Sequence, residues 1–149
     1  MSHGVVSAGY EGRTIEGFVD ALVSLGVGAV ADVRLNAISR KAGFSKARLR
    51  TALAEAAIDY VHFRLLGNPK ENREPFWTGR LQEGRDIYRE LLSGDDQASA
   101  LTELGELADQ KVVAILCFEQ DHERCHRQVV IDELTSGWGL PVRHLPAEA

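Results

Sequence analysis

"KVVAILCF", Lys111–Phe118, is the stretch on which the fold turns. An unbroken apolar run from Val112 to Cys117 is too short for a buried helix and suits a strand covered on both faces. A charged segment follows, and Cys125, His126 and Arg127 arrive together at the start of a helix expected from about His122 to Ser136, with Asp121 as its cap.

Further out, the same grammar repeats. "GVVSAGY", Gly4–Tyr10, is a second apolar run ending in turn residues, and "AVADV", Ala29–Val33, is a third. Between them, Thr14 can cap a helix with Ile15, Phe18, Val19, Leu22 and Leu25 on one face, ended by Gly26 and Gly28. Ser45 can cap another, with Leu49, Leu53 and Ala56 as its stripe. "DYVHF", Asp59–Phe63, alternates as a strand does, and "LPVRHL", Leu140–Leu145, closes the series. Two helices fill positions 79–109, the second with Ala98, Leu101, Leu104 and Ala108 inward. Strands alternating with helices predict an α/β fold: one doubly wound, mostly parallel, Rossmann-like five-stranded sheet with helices on both faces. Right-handed crossovers suggest the order 3-2-1-4-5.

The 149 residues fit a single domain, 1–149, with no repeat, linker or low-complexity tract. With 44% hydrophobic and 26% charged residues, the composition is that of an ordinary globular protein. No run approaches the roughly 20 apolar residues of a membrane span, and Glu11 and Arg13 interrupt the start before a signal-peptide core develops. A cytoplasmic setting without membrane contact is expected. There Cys117 and Cys125 should stay reduced, and a structural disulfide is not expected. The net charge of -5 argues against a general nucleic-acid coat. It is unevenly spread, however. Arg34, Arg40, Lys41, Lys46, Arg48 and Arg50 lie between Val33 and Ala54 without one acid among them, as an anion-binding face would. A solvated helix surface is the plainer reading.

In a doubly wound sheet, ligands sit outside the carboxyl ends of the strands where the order reverses, here between the first strand and Val112–Cys117. The strand ends deliver Tyr10, Glu11, Gly12 and Arg13, then Asp32, Arg34, Asn36, Ser39 and Arg40, then Cys117 and Glu119 with the Cys125–Arg127 cluster. The third strand leads into "LGNPKENREPFWTG", Leu66–Gly79, a long loop. Its Lys70, Arg73, Phe76 and Trp77 suit a lid that stacks on a base, or a loop plugged into the surface by Trp77.

Four blocks, "GYEGRTIEGFVDAL", "DVRLNAISRKAGFSK", "LGNPKENREPFWTG" and "LCFEQDHERCHR", resemble in order the motifs of the domain-of-unknown-function 488 family. The resemblance implies a compact α/β domain and an intracellular bacterial or archaeal setting, and brings no settled activity. Tyr10, Glu11, Arg13, Asp32, Arg34, Ser39, Arg40, Cys117, Glu119, Cys125, His126 and Arg127 occupy its motif positions. Ala37 departs from it, standing where Pro is expected after Asn36.

Three chemistries compete for this edge. A phosphatase-like cradle after Cys117 is disfavoured by Glu119, Asp121 and Glu123, by the lack of glycine, and by Arg124 falling one residue late. Cys125, near a helix start and beside His126 and Arg127, is a candidate thiolate, or a buried small residue. Cys117, Cys125 and His126 with Asp32 or Glu119 supply metal donors, but without paired Cys-x-x-Cys spacing, so neither metal nor cofactor is expected. The leading expectation is a cleft that binds, with or without processing, a phosphate-bearing partner such as a nucleotide or nucleic-acid end. Tyr10, Glu11, Asn36 and Ser39 would line it, and Arg13, Arg34, Arg40 and Arg127 would hold the anion. Asp32 and Glu119 orient those arginines or act as base, and His126 moves a proton. The rivals are a thiol enzyme or redox sensor centred on Cys125 and a non-catalytic regulatory or scaffold module.

Overall fold

The computed structural model describes residues 2–119 and 124–146. Five strands, β1 (Gly4–Gly9), β2 (Ala29–Asp32), β3 (Asp59–His62), β4 (Val112–Cys117) and β5 (Val142–His144), form one sheet in which every pairing is parallel. The α/β class is as expected, but the order is β3-β2-β4-β1-β5, with β4 inserted between β2 and β1. Both β1 and β4 are six-residue strands buried along their whole length, so either run suits the centre of the sheet. Pairing is settled by packing across the faces. Ser7, the one polar side chain inside β1, accepts a bond from Arg127 at the start of the helix after β4. That helix reaches Ser7 because the connection from β4 to β5 passes over β1.

Alternation along the strands divides the core in two. On one face Val6, Ala8, Val30, Ala114 and Leu116 pack against Phe18 and Leu22 of α1 (Ile15–Ser24) and Leu49 and Leu53 of α2 (Lys46–Glu55). On the other, Val5, Ala31, Val113 and Ile115 meet α4 (Leu81–Leu92), α5 (Asp95–Gln110) and α6 (Arg127–Trp138) through Tyr88, Leu104, Ala108, Val130 and Leu134. Thr14 caps α1, accepting from the Gly17 amide at 3.0 Å. Ser45 precedes α2 but spends its hydroxyl on Ser39, whose amide and carbonyl it bonds at 3.0 and 3.1 Å, pinning the loop after β2. In α5 the register set by its start turns Ala100 inward and leaves Ala98 exposed, a correction to the expected stripe. The expected Asp121 cap and His122 start of α6 lie outside the described residues, and the helix itself begins at Arg127.

The segment after β3 is a folded strap rather than an irregular loop. It runs through two 3-10 turns (Arg64–Leu66 and Lys70–Asn72) and a short α3 (Glu74–Trp77). Phe76, not Trp77, plugs it into the protein: Trp77 is 61% exposed, whereas a Cβ added to Gly84 would come within 2.8 Å of the Phe76 ring. Buried Asn72 ties the strap down, donating to Asn68 Oδ1 at 3.0 Å and the Gly84 carbonyl at 2.9 Å. Among the described residues, no helix is long and apolar enough to cross a membrane.

Candidate functional site

Neighbours β1 and β4 send their chain connections in opposite directions, one over each face, so a crevice opens at their carboxyl ends. A pocket of about 240 Å³ occupies it. Each of the first four strands contributes: Tyr10 follows β1, Arg34 and Asn36 follow β2, Asn68, Arg73 and Trp77 come from the strap, and Cys117 ends β4. Phe118, Glu119, Arg124, Cys125 and His126 complete that side.

Cys117 and Cys125 are joined as a disulfide, which corrects the expectation that both stay reduced. The end of β4 and the start of α6 lie side by side, with Arg127 at the head of the helix beside Cys117 at the end of the strand. Both cysteines are buried, yet both line the pocket. Arg127 reaches under the pair, with Nη1 donating to Cys117 Sγ at 3.0 Å and Nε donating to Ser7 Oγ at 2.8 Å.

His126 occupies the cap position of α6. Its Nε2 lies 2.7 Å from the Val33 carbonyl, an oxygen that can only accept, so Nε2 carries the proton in the neutral ring. Nδ1 therefore keeps its lone pair, 3.6 Å from Cys125 Sγ. Burial pushes the His126 pKa down to about 4. The Arg127 and Arg73 charges act in the same direction, against the bond to Val33. The ring is neutral at pH 7, and Tyr88 packs against it edge-on at 5.1 Å.

Arg34 is fixed from every side. Asp32 holds it through two parallel bonds, Nε to Oδ1 at 2.9 Å and Nη2 to Oδ2 at 2.7 Å. Nη1 donates to the Phe44 carbonyl at 2.7 Å and to the Tyr10 hydroxyl at 3.2 Å. Asp32 accepts two further bonds, from the Arg34 amide and the Tyr60 hydroxyl, and is completely buried. Burial and the bond to Asp32 raise the Tyr60 pKa. A carboxylate so engaged orients Arg34. The Tyr10 ring in turn stacks on Phe44, with centroids 4.4 Å apart.

Of the residues expected from the sequence, Tyr10, Arg34, Asn36, Glu119, Cys125 and His126 meet in the pocket lining. Asp32 stands behind Arg34. Arg13 is buried and donates to the Pro146 carbonyl, and Arg127 lies beneath the disulfide. Glu11, Ser39 and Arg40 lie off the lining, Glu11 and Arg40 on the surface and Ser39 in the turn before α2. Ser7, Tyr60 and Asn68 also belong to the site or its support, and the strand-end pattern does not mark them. A serine inside an otherwise apolar strand was the available signal for the first, whereas the other two carry none, since their partners lie 28 and 4 residues away in folded segments.

Fold and site together define a parallel α/β protein that gathers a cystine, a histidine and several arginines in one pocket at the carboxyl edge of its sheet. The chain belongs to the family described as domain of unknown function DUF488, whose sequence model matches residues 14–134. No curated protein and no solved structure matches it.

Proposed function

We propose that this pocket is a thiol–disulfide exchange site in which Cys117 and Cys125 cycle between cystine and dithiol. The observation that carries this reading is the unprotonated Nδ1 of His126, 3.6 Å from Cys125 Sγ in a pocket that both sulfurs line. A thiolate of a dithiol partner attacks Cys125 Sγ. The sulfur–sulfur bond breaks and Cys117 leaves as a thiolate, stabilised by the Arg127 guanidinium 3.0 Å away. The partner's second thiolate then attacks its own sulfur on Cys125. The partner departs as a disulfide, Cys125 leaves with the electron pair, and two electrons have entered the protein. His126 Nδ1 is placed to exchange the proton of the Cys125 thiol. Run in reverse, the dithiol reduces a disulfide partner.

The test titrates native protein with glutathione redox buffers and counts thiols. Two thiols should appear together without unfolding, and Cys117→Ser should accumulate a mixed disulfide on Cys125. A disulfide that opens only when denaturant unfolds the chain refutes the reading.

A second reading, binding of a phosphate-bearing ligand, is favoured by Arg73 and Arg124, which line the pocket beside the Asp32-paired Arg34, with Glu119 the one acid among the described lining residues. Of the arginines first expected to hold the anion, Arg34 is the one in this set. Calorimetric titration with a nucleoside monophosphate tests it: binding should vanish in Arg73→Ala and survive Cys125→Ser, and absence of binding to the unaltered protein refutes it.

A further inference from the structure

The same three side chains suit a second chemistry once the disulfide is open. Cys117 Sγ, Cys125 Sγ and a ring nitrogen of His126 all lie within 4.8 Å of one another, and all three residues are buried. Zinc takes thiolate sulfur at about 2.3 Å and imidazole nitrogen at about 2.0 Å in a tetrahedron, which places sulfur and nitrogen donors roughly 3.5 Å apart. Cys125 Sγ and His126 Nδ1 stand at 3.6 Å. The two sulfurs have only to part from bonding distance to the roughly 3.8 Å of a shared metal.

The surroundings are those of a prepared ligand set. A histidine that binds a metal through one nitrogen usually donates from the other to a carbonyl or carboxylate, which fixes tautomer and ring. His126 does this through the Val33 carbonyl, leaving Nδ1 aimed at Cys125. Arg127 Nη1 donates to Cys117 Sγ and Ser7 holds the same guanidinium, so negative charge on that sulfur already has a partner. Soft sulfur donors with one imidazole select zinc over magnesium or calcium. All three residues line the pocket, so a metal among them keeps one side open toward it, where Glu119 is a neighbour.

We infer that the reduced protein binds one zinc ion through Cys117, Cys125 and His126, with a fourth position open to the pocket, and that forming the disulfide expels it. The balance is simple. A dithiol reductant supplies two electrons and two protons to the cystine and becomes a disulfide itself. Zinc then displaces the two thiol protons, while neutral His126 contributes its lone pair. This inference rests on the disulfide being reducible in the folded protein, a premise it shares with the exchange reading.

The experiment reduces the whole protein anaerobically with a phosphine, counts thiols, confirms the fold by circular dichroism, and titrates with cobalt(II) and then zinc. Expected are one equivalent of cobalt(II) with a thiolate-to-metal charge-transfer band, its replacement by zinc, and release of metal on reoxidation. Cys117→Ser and, independently, His126→Asn should each lose the band, and oxidised unaltered protein should never show it. Two thiols in a folded protein with no band overturn the metal site and leave thiol exchange standing. A band that survives Cys117→Ser and His126→Asn overturns the assignment of ligands. No thiols after reduction of the folded chain overturn both readings.

Discussion

Replacing Asp32 by Asn asks whether this carboxylate anchors Arg34 or is available as a base. The structure gives it four acceptor bonds: two from the Arg34 guanidinium, one from the Arg34 amide and one from Tyr60. Neither side chain of the ion pair is more than 8% exposed. Removing one partner of a buried pair costs about 3–5 kcal/mol because the other charge stays buried. The remaining amide oxygen of Asn recovers about 1 kcal/mol by accepting one bond. The net loss for Asp32→Asn is therefore about 2–4 kcal/mol, a large part of the roughly 5–15 kcal/mol that holds a domain together. Urea unfolding measures it as a shift in midpoint at constant slope. Adding Arg34→Leu removes the stranded charge, so the double variant should be more stable than the two single losses predict, by about 1–3 kcal/mol. A loss below about 1 kcal/mol with additive effects would refute the anchoring role. Asp32 would then be free to take up a proton from a ligand.

Two further outcomes are expected. Because the folded pKa of His126 is about 4 against about 6.5 for an exposed histidine, protonation favours the unfolded chain. The stability this residue contributes is complete above pH 6.5 and is lost as the pH falls toward 4, by up to about 1.4 kcal/mol per pH unit. Denaturant titrations of oxidised, chelator-treated protein across that window check it, and a slope unchanged in His126→Phe would defeat the assignment. Gly67→Ala should cost about 1–3 kcal/mol in thermal unfolding. Its Cβ would meet the Leu35 Cα at 2.4 Å, where backbone cannot yield without parting the loops after β2 and β3. A variant that melts with the parent would show that these loops move freely.

Much of the fold is legible from short-range pattern. The apolar run Val112–Cys117, the Thr14 cap and the Leu49–Leu53 stripe each owe their form to neighbours a few residues away, and each is found where the pattern puts it. The strand order is different in kind. Both β1 and β4 read as central strands, and nothing local ranks them, because the choice depends on which faces α6 and its Arg127 must cover. In the strap, Phe76 and Trp77 have the same local credentials, and it is the packing of α3 on α4, where Gly84 leaves room, that admits the Phe76 ring.

The candidate site divides along the same line. By itself the sequence determined that Tyr10, Arg34, Asn36, Glu119, Cys125 and His126 follow strand ends, and strand ends of a parallel sheet converge on one edge, so their meeting in a pocket follows from topology. Tertiary structure alone decided what each of them touches. It gave Arg34 to Asp32, placed Arg127 under Cys117, aimed the bare nitrogen of His126 at Cys125, and joined the two sulfurs. Chain order carries periodicity and therefore secondary structure. Hydrogen bonds and sulfur contacts depend on separations of a few ångströms between residues as far apart as 7 and 127, and those separations exist only after the sheet has closed.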